Sequence, residues 1–260
     1  MIKLLTNEQS DAFYTKIDDK TKAKTKDARS FTMPLGNDKY LMSFHWVNGD
    51  KVLIYADPAT CMVMTDNEEV RTMVKSIDKP EGGLEEMFFF FLNITADEVY
   101  RLEAIEAKIA SIEDTLLLDM RPDPKDLSKI INIRKEIGVI KRYYIQMEFL
   151  SDDLADCNHY FAFIDKKFDR LLDYILRLSE SIEQVREAYQ SQIDIEQNNV
   201  MKFFTVVTTI FLPLTLITGW FGMNIIMPEF KWAYGYPYVI GLSIIVVLGL
   251  VAVFKKKKWF

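Results

Sequence analysis

The chain has 260 residues, 49% hydrophobic and 27% charged, with a formal net charge of −6. That acidity disfavours a nucleic-acid partner, and two lone cysteines, Cys61 and Cys157, lack metal or redox spacing and read as buried or inert thiols. The charge is unevenly spread, with none from Phe203 to Pro228 and none from Trp232 to Phe254, and each of these stretches exceeds the ~20 residues that cross ~30 Å of hydrocarbon as a helix.

The opening residues, Met1 to Thr6, hold too little apolar sequence for a signal peptide. Short β-branched or aromatic runs at 39–47, 51–56 and 60–64 predict strands. Asn48-Gly49 is a hairpin signal between the first two, and Asp57-Pro58 marks the next turn. Glu68 to Ser76 reads as a helix broken by Gly82-Gly83. Glu86 to Ile94, with four consecutive phenylalanines, reads as a strand buried on both faces.

From Ala96 onward the apolar period becomes helical. Leu102, Ile105, Ile109, Ile112 and Leu116 form one seam, and a break at Arg121-Pro122-Asp123-Pro124 precedes a second seam from Leu127 to Met147. Ser151-Asp152-Asp153 predicts a turn. A third seam, from Ile164 to Tyr189, steps by four and three residues as in a coiled coil. Between Pro124 and Pro213 the only glycine or proline is Gly138, so the third helix is expected to run from near Tyr160 into the first apolar span, a length of roughly 90 Å.

These segments predict an α+β chain. Residues 1–95 form a small α/β domain, 96–200 a helical domain and stalk, and 201–260 a membrane part with spans at about 203–221 and 237–254, a loop at 222–236 and a tail at 255–260. The lysines at 255–258 follow the second span directly, which places that end, and with two spans also the N-terminal domain, on the cytoplasmic side of the cell membrane.

Where the third seam weakens, another face of the same helix carries Glu187, Ser191, Asp194, Asn198, Met201, Phe204, Thr208, Leu212, Thr215 and Gly219. If copies of the helix surround an axis, the polar members can bind the water shell of a cation, and Met201, Phe204 and Leu212 can form dry rings that gate by dewetting. The competing reading is a membrane helix whose threonines bond back to its own backbone. Pro213 interrupts this span. Gly222-Met223-Asn224 follows it; the glycine admits backbone angles closed to other residues, and Asn224 supplies a neutral amide suited to a hydrated Mg²⁺, which releases its waters reluctantly.

The tripeptide between two spans resembles the signature of the CorA family of divalent cation channels. The likeness extends to Asn199-Val-Met-Lys-Phe-Phe204, Thr209-Ile-Phe-Leu-Pro-Leu-Thr215, Met227-Pro-Glu229, the stretch from Trp232 to Pro237, and Lys255 to Trp259. It is carried by residues 185–260, and the N-terminal unit is shorter than expected for the family. The resemblance implies a funnel-shaped homopentamer in the lipid bilayer, with the first span lining a central pore. Gly222, Met223 and Asn224 would form the selectivity filter, Met201 and Phe204 a hydrophobic gate, and Asn198, Thr215 and Glu187 further polar stations. It implies passive uptake of Mg²⁺, with Co²⁺ and Ni²⁺ as further cargo, closure by cytoplasmic Mg²⁺ through carboxylates left unassigned, and no organic cofactor. Phe221 stands where the family commonly has tyrosine, and Phe204 where leucine is expected. Glu229 in the outer loop would concentrate cations at the mouth.

Asp11, Asp18, Asp19, Asp152, Asp153 and Asp156 read as solvated charges, and His45 and His159 as structural. No Walker-type loop and no nucleophile–base pair appears, so neither ATP-driven transport nor an enzyme is expected. Two alternatives stand beside Mg²⁺ uptake: a Zn²⁺ or other divalent transporter on the same scaffold, disfavoured by the lack of Cys and His near the pore, and a non-conducting membrane-anchored coiled-coil sensor.

Overall fold

The computed structural model describes residues 2–26, 30–77, 82–118, 123–223, 232 and 234–257. It resolves into two compact units that divide between Ala188 and Tyr189.

The first unit begins with a five-stranded sheet made of β1 (Lys3–Leu5), β2 (Phe31–Gly36), β3 (Lys39–His45), β4 (Lys51–Ala56) and β5 (Cys61–Met64), in the order β1-β5-β4-β3-β2. β1 runs parallel to β5, and the remaining pairs are antiparallel. The expected Asn48-Gly49 hairpin is present, with Gly49 at φ 93° and the Trp46 N–H donating to the Asp50 carbonyl at 2.8 Å. Two strands escaped the sequence reading. β1 is only three residues long. β2 contains Pro34, which a ladder tolerates at an edge, and it turns into β3 through Asn37 and Asp38, both with positive φ (52° and 56°) as a tight two-residue hairpin requires.

One sheet face packs Leu41, Leu53, Tyr55 and Met62 against Phe13 of α1 (Ser10–Tyr14), near α2 (Asp19–Thr25). α3 (Glu68–Ser76) forms where expected, its first turn capped by Asn67, whose side chain accepts from the Val70 N–H. The run expected as a doubly buried strand is instead α4 (Gly83–Ile94). Its buried residues, Met87, Phe90, Phe91 and Ile94, follow helical spacing, whereas Phe88 and Phe89 are only partly buried. Its first residue needs to be glycine: a Cβ on Gly83 would lie 2.2 Å from the Asp57 carbonyl oxygen.

α5 (Glu98–Leu118), α6 (Pro124–Cys157) and the N-terminal half of α7 (Ala162–Phe221) carry the three seams. Asp123 caps α6 by accepting from the Lys125 N–H, with Pro124 in its first turn. The turn expected at 151–153 is displaced: α6 continues to Cys157, Ser151 is buried, and Asn158 makes the break. A chain of small polar residues suggests a turn, but here one side of it, Ser151 and Leu154, faces the core. The seams are buried along their length except at Leu127, which is 39% exposed. Tyr144 donates to Glu98 and Tyr174 to Glu106, each at 2.6 Å, and Arg134 meets Glu183 at 2.6 Å, so all three helices are cross-linked. Cys61 is buried as expected, but Cys157 is exposed.

The second unit contains the rest of α7 and α8 (Gly235–Lys256). Both helices contain a window long and apolar enough to cross a membrane. α7 passes through Pro213 without a break, and its 60 residues correspond to roughly 90 Å.

Candidate functional site

The predicted stripe lies on α7, which stays helical through this stretch despite its many β-branched residues and Pro213, because a helix pairs its backbone polar groups internally where the surroundings are apolar. Glu187 is exposed and belongs to the first unit, and Asn198, Met201, Phe204, Thr208, Leu212 and Thr215 belong to the second. All six are exposed on the single chain, Met201 by 64%, Phe204 by 58% and Leu212 by 68%.

Within the second unit, Thr208, Leu212, Thr215, Gly219 and Met223 line one groove of about 830 Å³ along α7. Met201 and Phe204 lie below it, and the Phe204 ring stands edge-on to Phe203 with centroids 6.0 Å apart. Phe211, Leu216 and Trp220 also line the groove, and the sequence reading passed over them. A stripe of one residue per turn is too narrow for a helix face, which takes about two. The missed signal was the neighbour of each stripe member.

The hydroxyls follow a common pattern. Thr215 donates to the Phe211 carbonyl at 2.8 Å, Thr205 to Met201 at 2.8 Å, Thr209 to Thr205 at 2.7 Å and Thr218 to Leu214 at 2.9 Å. Each donated O–H satisfies the hydroxyl in an apolar setting. It also leaves the oxygen lone pairs free, so a back-bonded threonine offers an acceptor to the groove. Pro213 has no N–H for the Thr209 carbonyl, four residues earlier, which adds a second kind of acceptor to this turn.

The end of α7 corrects one expectation. Gly222 is not among the described glycines with positive φ. Its requirement is steric: its N–H donates to the Thr218 carbonyl at 2.8 Å, and a Cβ would sit 2.7 Å from that oxygen. Met223 follows in the same tight turn. Asn224 and Glu229 lie outside the described residues. Among the described residues no three His, Cys, Asp or Glu side chains come together as a metal site.

A comparison with known proteins adds the family. The profile described as CorA-like Mg²⁺ transporter protein matches residues 22–256, which includes most of the N-terminal unit. The chain is 30% identical over 171 residues to the cobalt/magnesium transport protein CorA of Thermotoga maritima, covering 61% of this chain and 47% of that protein. It is 32% identical over 140 residues to the magnesium transport protein CorA of Campylobacter jejuni, covering 52% of this chain and 43% of that one. The chain thus spans about half the length of the curated relatives it matches. The complete CorA structure from Methanocaldococcus jannaschii shares the fold, with a TM-score of 0.77 at 19% identity over 99% of this chain and 90% of that one. The chain belongs to the CorA-like Mg²⁺ transporter family.

Proposed function

We propose that the chain forms a homo-oligomeric channel, a pentamer by its family likeness, that admits hydrated Mg²⁺ down its electrochemical gradient, with Co²⁺ and Ni²⁺ as further cargo. The observation that carries this reading is the groove on α7, where Thr208 and Thr215 alternate with Leu212 and Gly219 on one exposed face. A single helix offers one wall, so a pore needs several copies around an axis. The hydrogens of the ion's water shell point outward, and the free lone pairs of the back-bonded Thr215 hydroxyl have the polarity to receive them. A site made of neutral acceptors holds the hydrated ion weakly enough to release it. A divalent ion gains about 4.6 kcal/mol per 100 mV on moving inward.

In this reading residues 1–95 and 96–200 are cytoplasmic, 201–260 form the membrane part of a cell membrane protein, and both termini face the cytoplasm. Gly222, Met223 and Asn224 form the outer filter, Glu229 attracts cations, and Met201 and Phe204 gate the pore, with Asn198 and Glu187 as polar stations toward the cytoplasm. In this reading closure by cytoplasmic Mg²⁺ uses carboxylates of neighbouring copies; among the described residues one chain alone brings no three His, Cys, Asp or Glu side chains together as a metal site.

Liposomes containing an Mg²⁺-sensitive dye test the proposal. Wild type should admit Mg²⁺, and Asn224→Ala should lose selectivity or at least tenfold of the flux. Equal flux in the two would sink the filter assignment, and a wild type that passes no ion at low internal Mg²⁺ would favour a non-conducting sensor. Competition by Co²⁺, Ni²⁺ and Zn²⁺ in the same vesicles ranks the cargo.

A further inference from the structure

Two patches in the first unit, outside the ion pathway, lie on opposite edges of α7. On the α5 side, Lys167, Arg170, Tyr174 and Arg177 line a groove of about 430 Å³ together with Thr95 and Val99, and Asp173 is the only acid among its described lining residues. Among the described residues none of the three cations makes an ion pair. Arg177 stacks over the Tyr174 ring at 5.4 Å and Lys167 over the Phe163 ring at 5.5 Å. The same edge continues into an aromatic cluster in which Tyr160 and Phe163 are each about half exposed and pack on Phe88 at 4.9 and 6.3 Å. Exposed arginine, tyrosine and phenylalanine on one strip is the composition of a protein interface centre.

On the α6 side the charge is reversed. Glu148 and Asp152 of α6 and Asp165 and Asp169 of α7 form one acidic group across the two helices, in which partial burial first, and then repulsion from the neighbouring carboxylates, hold the Glu148 and Asp169 carboxyls above their usual range. None of these four makes an ion pair among the described residues, and Asp165 only accepts from the Ser151 hydroxyl at 3.0 Å. Beside them on α6, Ile145 and Phe149 are exposed. At 100° per residue, Asp165 and Asp169 lie roughly 140° around α7 from the basic group.

We propose that the basic α5-side edge of one copy docks on the acidic α6-side edge of a second copy, with Lys167, Arg170 and Arg177 meeting Glu148, Asp152 and Asp169. This names the cytoplasmic interface of the homo-oligomer and rests on that reading. The two patches are different surfaces on opposite edges, so the contact is head-to-tail: each copy uses one edge to give and the other to receive, and the series closes as a ring. A small anion could satisfy the basic groove alone, but it leaves the acidic edge and the exposed aromatics without a role.

Charge reversal on the full chain in detergent tests this, with assembled mass followed by light scattering and folding checked by circular dichroism. Lys167→Glu with Arg170→Glu, and separately Glu148→Lys with Asp152→Lys, should each weaken assembly at least tenfold. The four changes together should restore it to within about threefold, which no misfolded chain would do. In a Cys157→Ser background, Arg170→Cys with Asp152→Cys should oxidise to a ladder longer than a dimer. An assembled wild type with inert reversals and no ladder overturns this interface and leaves the homo-oligomer standing, whereas a monomeric wild type overturns both. Wild-type assembly that a chelator abolishes, while the basic-edge reversal stays inert, also overturns it, by giving the acidic edge to Mg²⁺.

Discussion

At Thr215 the direction of one O–H bond decides what the groove offers an ion. The hydroxyl donates to the Phe211 carbonyl at 2.8 Å, so the oxygen faces the groove as an acceptor. Thr215→Val keeps the shape and removes that acceptor. A lost hydrogen bond to a hydrated ion is worth about 1 kcal/mol, or roughly fivefold, so Mg²⁺ flux into liposomes should fall about three- to tenfold, while Thr215→Ser should keep most of it. Equal flux in the valine variant would mean that the hydroxyl serves only the helix backbone. The stripe on which Thr215 sits was legible from spacing, because 3.6 residues per turn ties sequence to face. The donor–acceptor polarity was not, since a threonine in a sequence carries both and only the helix consumes one of them. Gly222 was legible as a required glycine but for the wrong cause, because closeness to the Thr218 carbonyl depends on how α7 ends.

Among the elements, one side chain makes several of the hydrogen bonds that join the sheet to the helical layer. Gln146 of α6 accepts from the His45 N–H at 3.1 Å and from the Ser30 hydroxyl at 2.6 Å, and donates to the His45 carbonyl at 2.8 Å. It pairs with the end of β3 much as another strand would. Gln146→Leu removes these partners and leaves the His45 peptide groups partly buried and unpaired, at a cost of about 1–3 kcal/mol. Thermal unfolding of the full chain in detergent should drop by roughly 3–10 °C, and an unchanged midpoint would show that water replaces the amide without loss. Nothing in the sequence marks Gln146, because its partner lies 101 residues away. By contrast, β3, β4 and α3 were readable from local patterns, since their turns and caps use neighbouring residues. The run at 88–91 misled because four phenylalanines fit a buried strand and a buried helix equally well. Only Met87 and Ile94, beyond the run, extend the helical period.

For the whole molecule, charge is arranged at a scale that composition hides. A net charge of −6 says only that the chain is acidic on average, whereas α7 gathers Lys167, Arg170 and Arg177 on one edge, with Asp173 among them, and Asp165 and Asp169 on the other. The family was legible because the membrane-proximal motifs are contiguous in the chain; the interface was not, because its halves meet only between copies. The acidic edge gives the two states of the chain opposite pH responses. Glu148 is held above the usual carboxylate range by partial burial, with Asp169, Asp152 and Asp165 adding repulsion, and Asp169 by partial burial with Asp165, Asp173 and Asp152. A carboxyl whose folded pKa exceeds its unfolded value costs stability once ionised; the cost is absent below the unfolded value and complete above the folded one. A single chain therefore gains stability as pH falls through the window just above the ordinary carboxylate range. In the assembly, Lys167 and Arg170 of the next copy favour the ionised form, so protonation in or below that window weakens docking. Between pH 7 and pH 4 the assembly constant of wild type should fall at least about tenfold, and the dependence should flatten in high salt. The thermal midpoint of the Lys167→Glu, Arg170→Glu chain, which lacks the basic edge, should rise over the same interval. An assembly constant that stays level as the carboxylates protonate would place the contact between copies on some other surface.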